Sequence, residues 1–285
     1  RETTTIIFAG TGSDACRALK WSGSLTGSLR LVTVRRLQEK RGWAFNIAVP
    51  VIKSFLLSTT RREWIGGDNL PETGGFIVAL NHISHLDPLT AAHLVYDHGR
   101  KPRYLAKSGL FDNKALGYFL RSAGQIPVKR ETRDAVGAYA AAVDAIRAGQ
   151  CVVIYPEATI TRDPGMWPMK AKSGAARIAL ETGCPVIPVG QWGAQDMLAP
   201  YTKNPHLFPR HKVVMRVGEP VDLEDLRTQQ RTPAIVNEAT DRIMAAITHQ
   251  LELVRGETAP AERYDMAVQG DRFKKQKKAS KKRGK

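Results

Sequence analysis

Short apolar runs alternate with longer helix-like stretches from about residue 64 to residue 221, and this alternation constrains the fold most. The runs are rich in branched residues and bounded by turn-forming residues, a pattern typical of buried strands. They cover residues 74–80, 103–106, 125–128, 151–155, 185–189 and 213–217. Helices are predicted over residues 133–148, 172–182 and 234–254, and a glycine closes each of the first two. Strands that alternate with helices predict an α/β fold in which helices cover the sheet.

The net charge of +16 limits the partners of this 285-residue chain. So basic a protein is expected to meet an anionic partner: a membrane surface, a phosphorylated substrate or a nucleic acid. The three cysteines are odd in number and widely spaced, which indicates a reducing compartment and no disulfide framework. No uncharged apolar run reaches the roughly 18 residues that a transmembrane helix needs, so no such helix is predicted.

Changes of composition divide the chain into four predicted segments. Residues 1–33 form a poorly ordered N-terminal segment, and residues 63–256 form the α/β domain. Residues 34–62 carry basic clusters around a stretch with Trp, Phe and Leu, which favours an amphipathic membrane-docking helix over an ordinary helix packed on the core. Residues 257–285 form a disordered basic tail, because a block of like charge cannot fold against itself. The tail suits anionic lipid, and it carries no motif that reads nucleic acid.

His82 and Asp87 are the candidate catalytic pair. They lie in the turn after the strand-like run 74–80, and Asp87-Pro88 is typical of a helix start. Ligands of open α/β sheets collect beyond the carboxyl ends of strands, where this turn lies. An imidazole can take a proton from a hydroxyl, and a carboxylate five residues on can hold it in one tautomer. The pair is a hydrolase triad without its serine, so the activated hydroxyl is expected to belong to a substrate. The alternative is a plain turn histidine beside a helix cap.

The spacing Asn-His-x-x-x-x-Asp from Asn81 to Asp87 resembles the first block of the glycerolipid acyltransferases, specifically the lysophosphatidate acyltransferases. Segments that resemble the three further blocks of this family follow in order at residues 124–130, 155–162 and 186–189. Residues 107–111 resemble the Lys-x-x-Leu-Phe element that lies between the first two blocks. The resemblance covers roughly residues 42–221 and implies a mixed, largely parallel central sheet flanked by helices.

The third block departs from the family's common form, Phe-Pro-Glu-Gly-Thr-Arg. Ala158 replaces the glycine, which puts in doubt any need for an unusual backbone angle there. Ile160 replaces the arginine and so removes a phosphate-binding charge, which Arg162 is expected to supply. Glu157 follows a buried strand, so its carboxylate needs a partner, either substrate hydroxyl groups or a neighbouring arginine, unless it only caps the turn. The substrate-binding residues that the resemblance implies are Lys107, Arg130, Glu157, Thr159 and Arg162.

The resemblance implies acyl transfer from acyl-CoA or acyl-ACP to the free sn-2 hydroxyl of lysophosphatidate, which gives phosphatidate in phospholipid biosynthesis. His82 would act as general base and Asp87 would support the imidazolium, with no acyl-enzyme intermediate. No cofactor or metal is expected beyond the thioester co-substrate. The implied partners are the two substrates, an anionic membrane surface and, for an acyl-ACP donor, acyl-carrier protein. The implied location is the cytoplasmic face of the cell membrane, as a peripheral or monotopic protein.

Three alternatives stay open from the sequence. The acceptor could be another lysophospholipid or glycerol phosphate. A metal-dependent hydrolase could use His82, His85 and Asp87, whose side chains are of metal-ligand type. A non-enzymatic binder of anionic membranes or nucleic acid would explain the charge and the tail, although it leaves the His82–Asp87 pair without a role.

Overall fold

The computed structural model describes residues 34–37, 39, 40, 42–107, 109, 111–128, 134–271 and 273. Of residues 106, 107, 127, 128 and 134–136 it describes the backbone alone. The predictions for residues 1–33, for Arg130 and for the basic residues from 274 onward therefore lie outside the described residues and stay predictions.

A seven-stranded sheet runs through the described part of the chain. Its strands are β1 Thr60–Ile65, β2 Phe76–Leu80, β3 Pro102–Lys107, β4 Ile126–Val128, β5 Cys151–Ile154, β6 Val186–Trp192 and β7 His211–Val217. Their order is β1-β7-β6-β2-β5-β3-β4. The strands from β6 to β4 are mutually parallel, whereas β7 runs antiparallel to β6 and pairs in parallel with β1 at the edge. The prediction of a mixed, largely parallel sheet is confirmed.

Helices cover both faces of this sheet. They are α1 Trp43–Thr59, α2 Asp87–Asp97, α3 Lys114–Ser122, α4 Asp134–Arg147, α5 Gly174–Thr182, α6 Ala194–Met197, α7 Glu224–Arg227, α8 Pro233–Arg255 and α9 Met266–Gln269. The three helices predicted from the sequence are α4, α5 and α8. Gly149 and Gly183 follow α4 and α5 with φ of 74° and 68°, the left-handed conformation that lets glycine end a helix.

Strand β2 shows why both faces of the sheet must be covered. Its residues are all fully buried. Ile77 and Ala79 belong to one core with residues of α4, α5 and α8. Phe76, Val78 and Leu80 belong to a second core with residues of α2 and β7. Because side chains alternate along a strand, an uninterrupted apolar run places β2 in the middle of a three-layer sandwich.

Helix α1 confirms a helix within residues 34–62, but the predicted end of that segment is wrong. Residues 60–62 already belong to β1, where Thr60 pairs with His211. The helix also continues through Pro50 rather than breaking there. Among the described residues, no helix combines the length and the apolar character that crossing a bilayer would require.

Asp97, the last residue of α2, attaches α1 to the domain. Its side chain is fully buried and accepts a hydrogen bond from Lys53 Nζ of α1 at 2.8 Å. Trp64 Nε1 donates to Oδ2 at 3.2 Å, and Arg62 Nε and His93 Nε2 each lie 3.3 Å from the same oxygen. Three elements, α1, β1 and α2, therefore converge on one carboxylate.

The prediction of a disordered tail from residue 257 is wrong for residues 257–271, which pack on the domain and include α9. The backbone N–H of Lys170 donates to the carbonyl oxygen of Tyr264 at 3.0 Å, and Lys170 Nζ pairs with Asp265 at 3.1 Å. The reason is compositional, because residues 257–271 carry four acidic residues and a single basic one, and the block of like charge begins only at Arg272.

Candidate active site

The turn after β2 lies at a topological switch point of the sheet. Strands β2 and β5 are parallel neighbours, so their carboxyl ends share one edge. The chain leaves β2 for α2, which packs on one face, and leaves β5 for α5, which packs on the other. Such a divergence opens a crevice between the two loops, here residues 81–86 and 155–173, and ligands of open α/β sheets bind in crevices of this kind.

The structure brings His82 and Asp87 together, as their spacing predicts. Nδ1 of His82 lies 2.7 Å from Oδ2 of Asp87, and the same oxygen accepts hydrogen bonds from the backbone N–H groups of Ile83 at 2.6 Å and Ser84 at 2.8 Å. Because Nδ1 donates to a carboxylate, the neutral imidazole carries its lone pair on Nε2. The His82 side chain is 15% exposed and that of Asp87 fully buried, so the imidazole is the member of the pair that a substrate can reach.

The negative charge of Asp87 is only partly compensated by its surroundings. Burial raises the pKa of its carboxyl, and the hydrogen bond and charge of His82 with the amides of Ser84 and Ile83 only partly oppose that rise. Oδ1 is buried without a hydrogen-bond partner among the described residues. A carboxylate this poorly compensated gains most when the neighbouring imidazole takes up a proton, which is what a general base requires.

The loop after β5 holds His82 from two sides. The ring of Tyr155 stacks on the imidazole with centroids 4.3 Å apart and planes 26° from parallel. Glu157 Oε1 accepts a hydrogen bond from the backbone N–H of His82 at 3.0 Å, and the backbone N–H of Thr161 donates to the carbonyl oxygen of His82 at 2.8 Å. The backbone and ring of the candidate base are thus fixed by the third family block.

Glu157 is fully engaged by backbone amides. Besides the amide of His82 on Oε1, the backbone N–H of Met169 donates to Oε2 at 2.9 Å. We expected substrate hydroxyl groups or an arginine as its partner, and the structure instead assigns both oxygens to the protein backbone. Burial raises the pKa of Glu157 to about 8, against the lowering effect of these two hydrogen bonds. Its geometry is that of a residue that positions His82.

Asn81 anchors the start of the same turn to the end of β6. Its amide nitrogen donates to the Gln191 carbonyl at 3.1 Å, and its amide oxygen accepts from the Gln191 backbone N–H at 2.8 Å. Gln191 Nε2 donates to the Asn81 carbonyl at 2.6 Å. Both residues are buried, so this reciprocal set satisfies polar groups that would otherwise be costly there.

Thr159 and Arg162 lie together around Tyr201. The guanidinium of Arg162 lies 3.8 Å from the centroid of the Tyr201 ring, and Thr159 Oγ1 is 3.4 Å from the Tyr201 hydroxyl, which donates to the Ile160 carbonyl. Arg162 Nε pairs with Asp271 Oδ1 at 3.0 Å. Arg162 directly follows Thr161, whose backbone N–H donates to the carbonyl oxygen of His82. The guanidinium therefore belongs to the loop that holds the candidate base.

Position 158 does adopt an unusual backbone angle, although alanine replaces the family's glycine there. Ala158 has φ of 58°, so the left-handed conformation persists although the family's glycine is absent. A non-glycine residue in this region is strained by roughly 1–2 kcal/mol. The loop tolerates the strain because Glu157 and Thr161, on either side, are both bonded to His82.

Lys107 and Arg130 have only their places in the chain described. Lys107 is the last residue of β3, and β4 ends two residues before Arg130. Strands β3 and β4 run parallel to each other and to β2. The carboxyl ends of β3, at Lys107, and of β4 therefore lie at the edge of the sheet that carries His82, and the binding roles of Lys107 and Arg130 stay predictions.

The metal-site alternative finds no support in the arrangement of side chains. His82 directs Nδ1 to Asp87, and His85 is exposed with its ring 6.4 Å from that of Tyr201. Within the described ranges, no group of three or more His, Cys, Asp or Glu side chains is placed to hold a metal ion.

Three residues of the site were not found from the sequence. Tyr155 occupies the aromatic first position of the third block, which is the one signal that could have drawn attention to it. Gln191 and Tyr201 carry no local signal, because they reach the site only through pairing of β6 with β2 and through the loop that follows α6.

Comparisons with known proteins agree with this geometry. Residues 61–192 match the family model described as Acyltransferase. The 1-acyl-sn-glycerol-3-phosphate acyltransferase of Bacillus subtilis is 27% identical over 179 residues, which cover 62% of this chain and 83% of that protein. The chain is therefore similar to lysophosphatidate acyltransferases over the region that holds the candidate site.

Two further relatives extend the comparison. A chloroplastic 1-acyl-sn-glycerol-3-phosphate acyltransferase of Brassica napus is 32% identical over 135 residues, which span 47% of this chain but only 38% of that longer protein. The crystal structure of the acyltransferase PlsC from Thermotoga maritima shares the fold, with a TM-score of 0.51 and 20% identity over 74% of this chain and 82% of that one. The match to the Acyltransferase model and these relatives support acyltransferase activity.

Proposed function

We propose that this acyltransferase moves a fatty acyl group from an acyl thioester, acyl-CoA or acyl-ACP, to the free sn-2 hydroxyl of lysophosphatidate, and so makes phosphatidate for phospholipid synthesis. The observation that carries the proposal is the His82–Asp87 pair, with a 2.7 Å contact and a partly exposed imidazole at the switch point of the sheet. The Bacillus subtilis and Brassica napus relatives, both named as 1-acyl-sn-glycerol-3-phosphate acyltransferases, suggest the acceptor.

The reaction needs one proton to move and one bond to be exchanged. Nε2 of His82 takes the proton of the acceptor hydroxyl while its oxygen attacks the thioester carbonyl. The new ester C–O bond forms, the C–S bond breaks, and the proton passes from the imidazolium to the leaving thiolate. Asp87 stabilises the imidazolium between these steps, and no cofactor or metal takes part. General-base assistance of this kind is typically worth about 10²- to 10⁴-fold.

The acceptor phosphate is assigned to the basic residues around the loops. Arg162 is the described candidate, since a planar guanidinium can donate two parallel hydrogen bonds to a phosphate. Its Nη1 is buried without a hydrogen-bond partner in the described ranges, so it has a donor to offer. Lys107, Arg130 and Thr159 complete the proposed set. Glu157 enters it only through the positioning of His82.

A panel of acceptors tests this function. Purified protein would be assayed with long-chain acyl-CoA and acyl-ACP against lysophosphatidate, lysophosphatidylcholine and glycerol 3-phosphate, with thiol release and lipid chromatography as readouts. We expect turnover with lysophosphatidate and its loss in His82→Ala, whose unfolding temperature should stay within a few degrees of the wild type. Preference for another acceptor would change the assigned substrate, and full activity of His82→Ala would refute the mechanism.

The exposed face of α1 supports a location at the membrane surface. Trp43, Ile47 and Val51 recur every four residues and are 45%, 55% and 65% exposed. On α3, Leu116 and Tyr118 are also exposed, and Trp43 stacks on Tyr118 at 5.4 Å. A soluble helix usually turns such residues inward, so this continuous apolar face suits a lipid interface, with the protein bound peripherally on the cytoplasmic side.

Vesicle flotation tests the membrane assignment. We expect the wild type to float with vesicles that contain anionic lipid, and Ile47→Asp with Val51→Asp to remain in the soluble fraction. Leu253→Asp is the matched control, because Leu253 is 50% exposed on α8, away from α1. Equal loss of flotation in the control, or none in the double variant, would argue against a membrane-docking α1.

A further inference from the structure

Residues 264–273 follow α8 and contact the molecule beside the third family block at three points, two at Lys170 and one at Tyr201. The Lys170 backbone N–H donates to the Tyr264 carbonyl at 3.0 Å, and Asp265 pairs with Lys170 Nζ at 3.1 Å. The ring of Phe273 lies 4.2 Å from that of Tyr201. We call residues 264–273 the C-terminal strap.

Asp271 of the strap lies against the guanidinium that is assigned to the acceptor phosphate. Its Oδ1 is 3.0 Å from Arg162 Nε, and the two side chains are only 16% and 14% exposed. Arg162 also lies against a pair of rings, 3.8 Å from the centroid of Tyr201 and 5.5 Å from that of Phe273. A carboxylate this close to a guanidinium competes with a phosphate for the same positive charge, because both are oxygen anions that pair with arginine.

We propose that Asp271 sets the affinity of the enzyme for its acceptor by competing with the acceptor phosphate for Arg162. In this inference, which rests on the proposed function, the strap contacts Arg162 when the acceptor is absent and gives way to a phosphate when it arrives. A dianionic phosphate out-competes a single carboxylate, whereas an acceptor without a free phosphate monoester does not. Asp271 is therefore a specificity-determining residue that favours acceptors of high negative charge.

The chain offers a close control for this idea. Asp265 lies in the same strap and also pairs with a basic side chain, but Lys170 is 71% exposed and takes no part in the proposed site. Asp271→Asn and Asp265→Asn remove the same charge from the same segment. A general effect of charge or of strap packing would appear in both variants, and competition at Arg162 in only one.

Steady-state kinetics with lysophosphatidate and a saturating acyl thioester test the proposal. We expect Asp271→Asn to lower the KM for lysophosphatidate roughly three- to ten-fold, since a partly buried ion pair of about 1 kcal/mol has been removed from the competing state. The kcat and the KM for the thioester should not change, and Asp265→Asn should behave like the wild type. In an Arg162→Gln background, Asp271→Asn should have no further effect on KM.

Direct binding separates this inference from the proposed function. Equilibrium binding of sn-glycerol 3-phosphate needs no turnover, and Asp271→Asn should bind it more tightly than the wild type and than Asp265→Asn. If the wild type acylates no acceptor, the proposed function fails while this comparison still decides on Asp271. Unchanged binding, an unchanged or higher KM, or an effect that persists without Arg162 would overturn the inference.

Discussion

Helix α2 has a buried aspartate at each end, and the surroundings of the two carboxylates shift their pKa values in opposite directions. Asp87 at the first residue faces an imidazole and two backbone amides, keeps one oxygen unpartnered in the described structure, and has a raised pKa. Asp97 at the last residue is met by Lys53, His93 and Trp64, and these contacts lower its pKa although burial acts to raise it. Two fully buried carboxylates therefore differ in function. The charge of Asp87 is only partly compensated and favours a protonated imidazole beside it, whereas the charge of Asp97 is compensated by cations and joins α1, β1 and α2.

The first test of this contrast is Asp87→Asn, for which we expect the largest effect. The amide keeps the shape of the side chain and an oxygen for the amides of Ile83 and Ser84, but it loses the charge that stabilises an imidazolium. Turnover should fall by roughly 10²- to 10⁴-fold. The free energy of unfolding should be unchanged or higher, because an under-compensated buried charge has been removed. Retained activity with lost stability would reverse the roles given to the two ends of α2.

Asp97→Asn should show the opposite pattern. It leaves Lys53 and Arg62 without their common counter-charge, and breaking a buried ion pair in this way costs about 3 kcal/mol. Chemical denaturation should reveal this loss at pH 7, with kcat within about two-fold of the wild type in protein that remains folded.

The pH dependence gives Asp97→Asn a second readout. The folded-state pKa of Asp97 is lower than its ordinary value of 3.8, so the wild-type carboxylate contributes its full stability above pH 3.8 and loses it as the pH falls further. The stability difference between variant and wild type should therefore be constant near neutral pH and shrink in acid. Burial lowers the pKa of the adjacent His93 to about 4, so this imidazole stays neutral near neutral pH and takes up a proton only in the same acid range. A difference that grew in acid would contradict the assignment.

In free energy, Glu157→Gln should have the smallest effect of the three variants. It alters the hydrogen bonds that support His82 and leaves the His82–Asp87 pair itself intact. Glutamine offers one acceptor oxygen, and its amide group would face a second backbone donor, so one of the two hydrogen bonds is lost. Because the pKa of Glu157 is about 8, the side chain is mostly neutral at pH 7, where a hydrogen bond is worth about 0.5–1.5 kcal/mol, so we expect a loss of kcat of up to roughly ten-fold.

A pH profile distinguishes this positioning role. With a pKa of about 8, Glu157 becomes a full acceptor for both amides only as the pH rises through that value. Activity of the wild type should gain an additional rise near pH 8 that is missing in Glu157→Gln. An identical profile in both proteins would leave Glu157 with a purely structural role, and rescue by Glu157→Asp is not expected because the shorter side chain cannot reach both donors.

The sequence predicted what depends on local spacing or on apolar runs. The strands of the core could be placed because β2, β5 and β6 are apolar on both faces, and His82 could be paired with Asp87 because a turn of five residues brings them together. The partners of Glu157 could not be predicted, since His82 is 75 residues away and the donors are backbone amides that no residue type reveals. The contact of Arg162 with Asp271 was missed for the same reason, and the strap was included in the disordered tail predicted at residues 257–285 because the basic block from Arg272 onward dominates the charge of that segment.

The attachment of α1 through Asp97 carries a consequence for how the enzyme would meet its lipid. Lys53 joins α1 to one end of α2, and the carboxylate of Asp87 lies at the other end of this 11-residue helix. A helix of that length is a stiff rod of about 16 Å. The depth to which α1 inserts between headgroups would therefore set the height of the His82 imidazole above the bilayer. Helix α2 would keep a constant distance between the water–lipid boundary and the reacting hydroxyl.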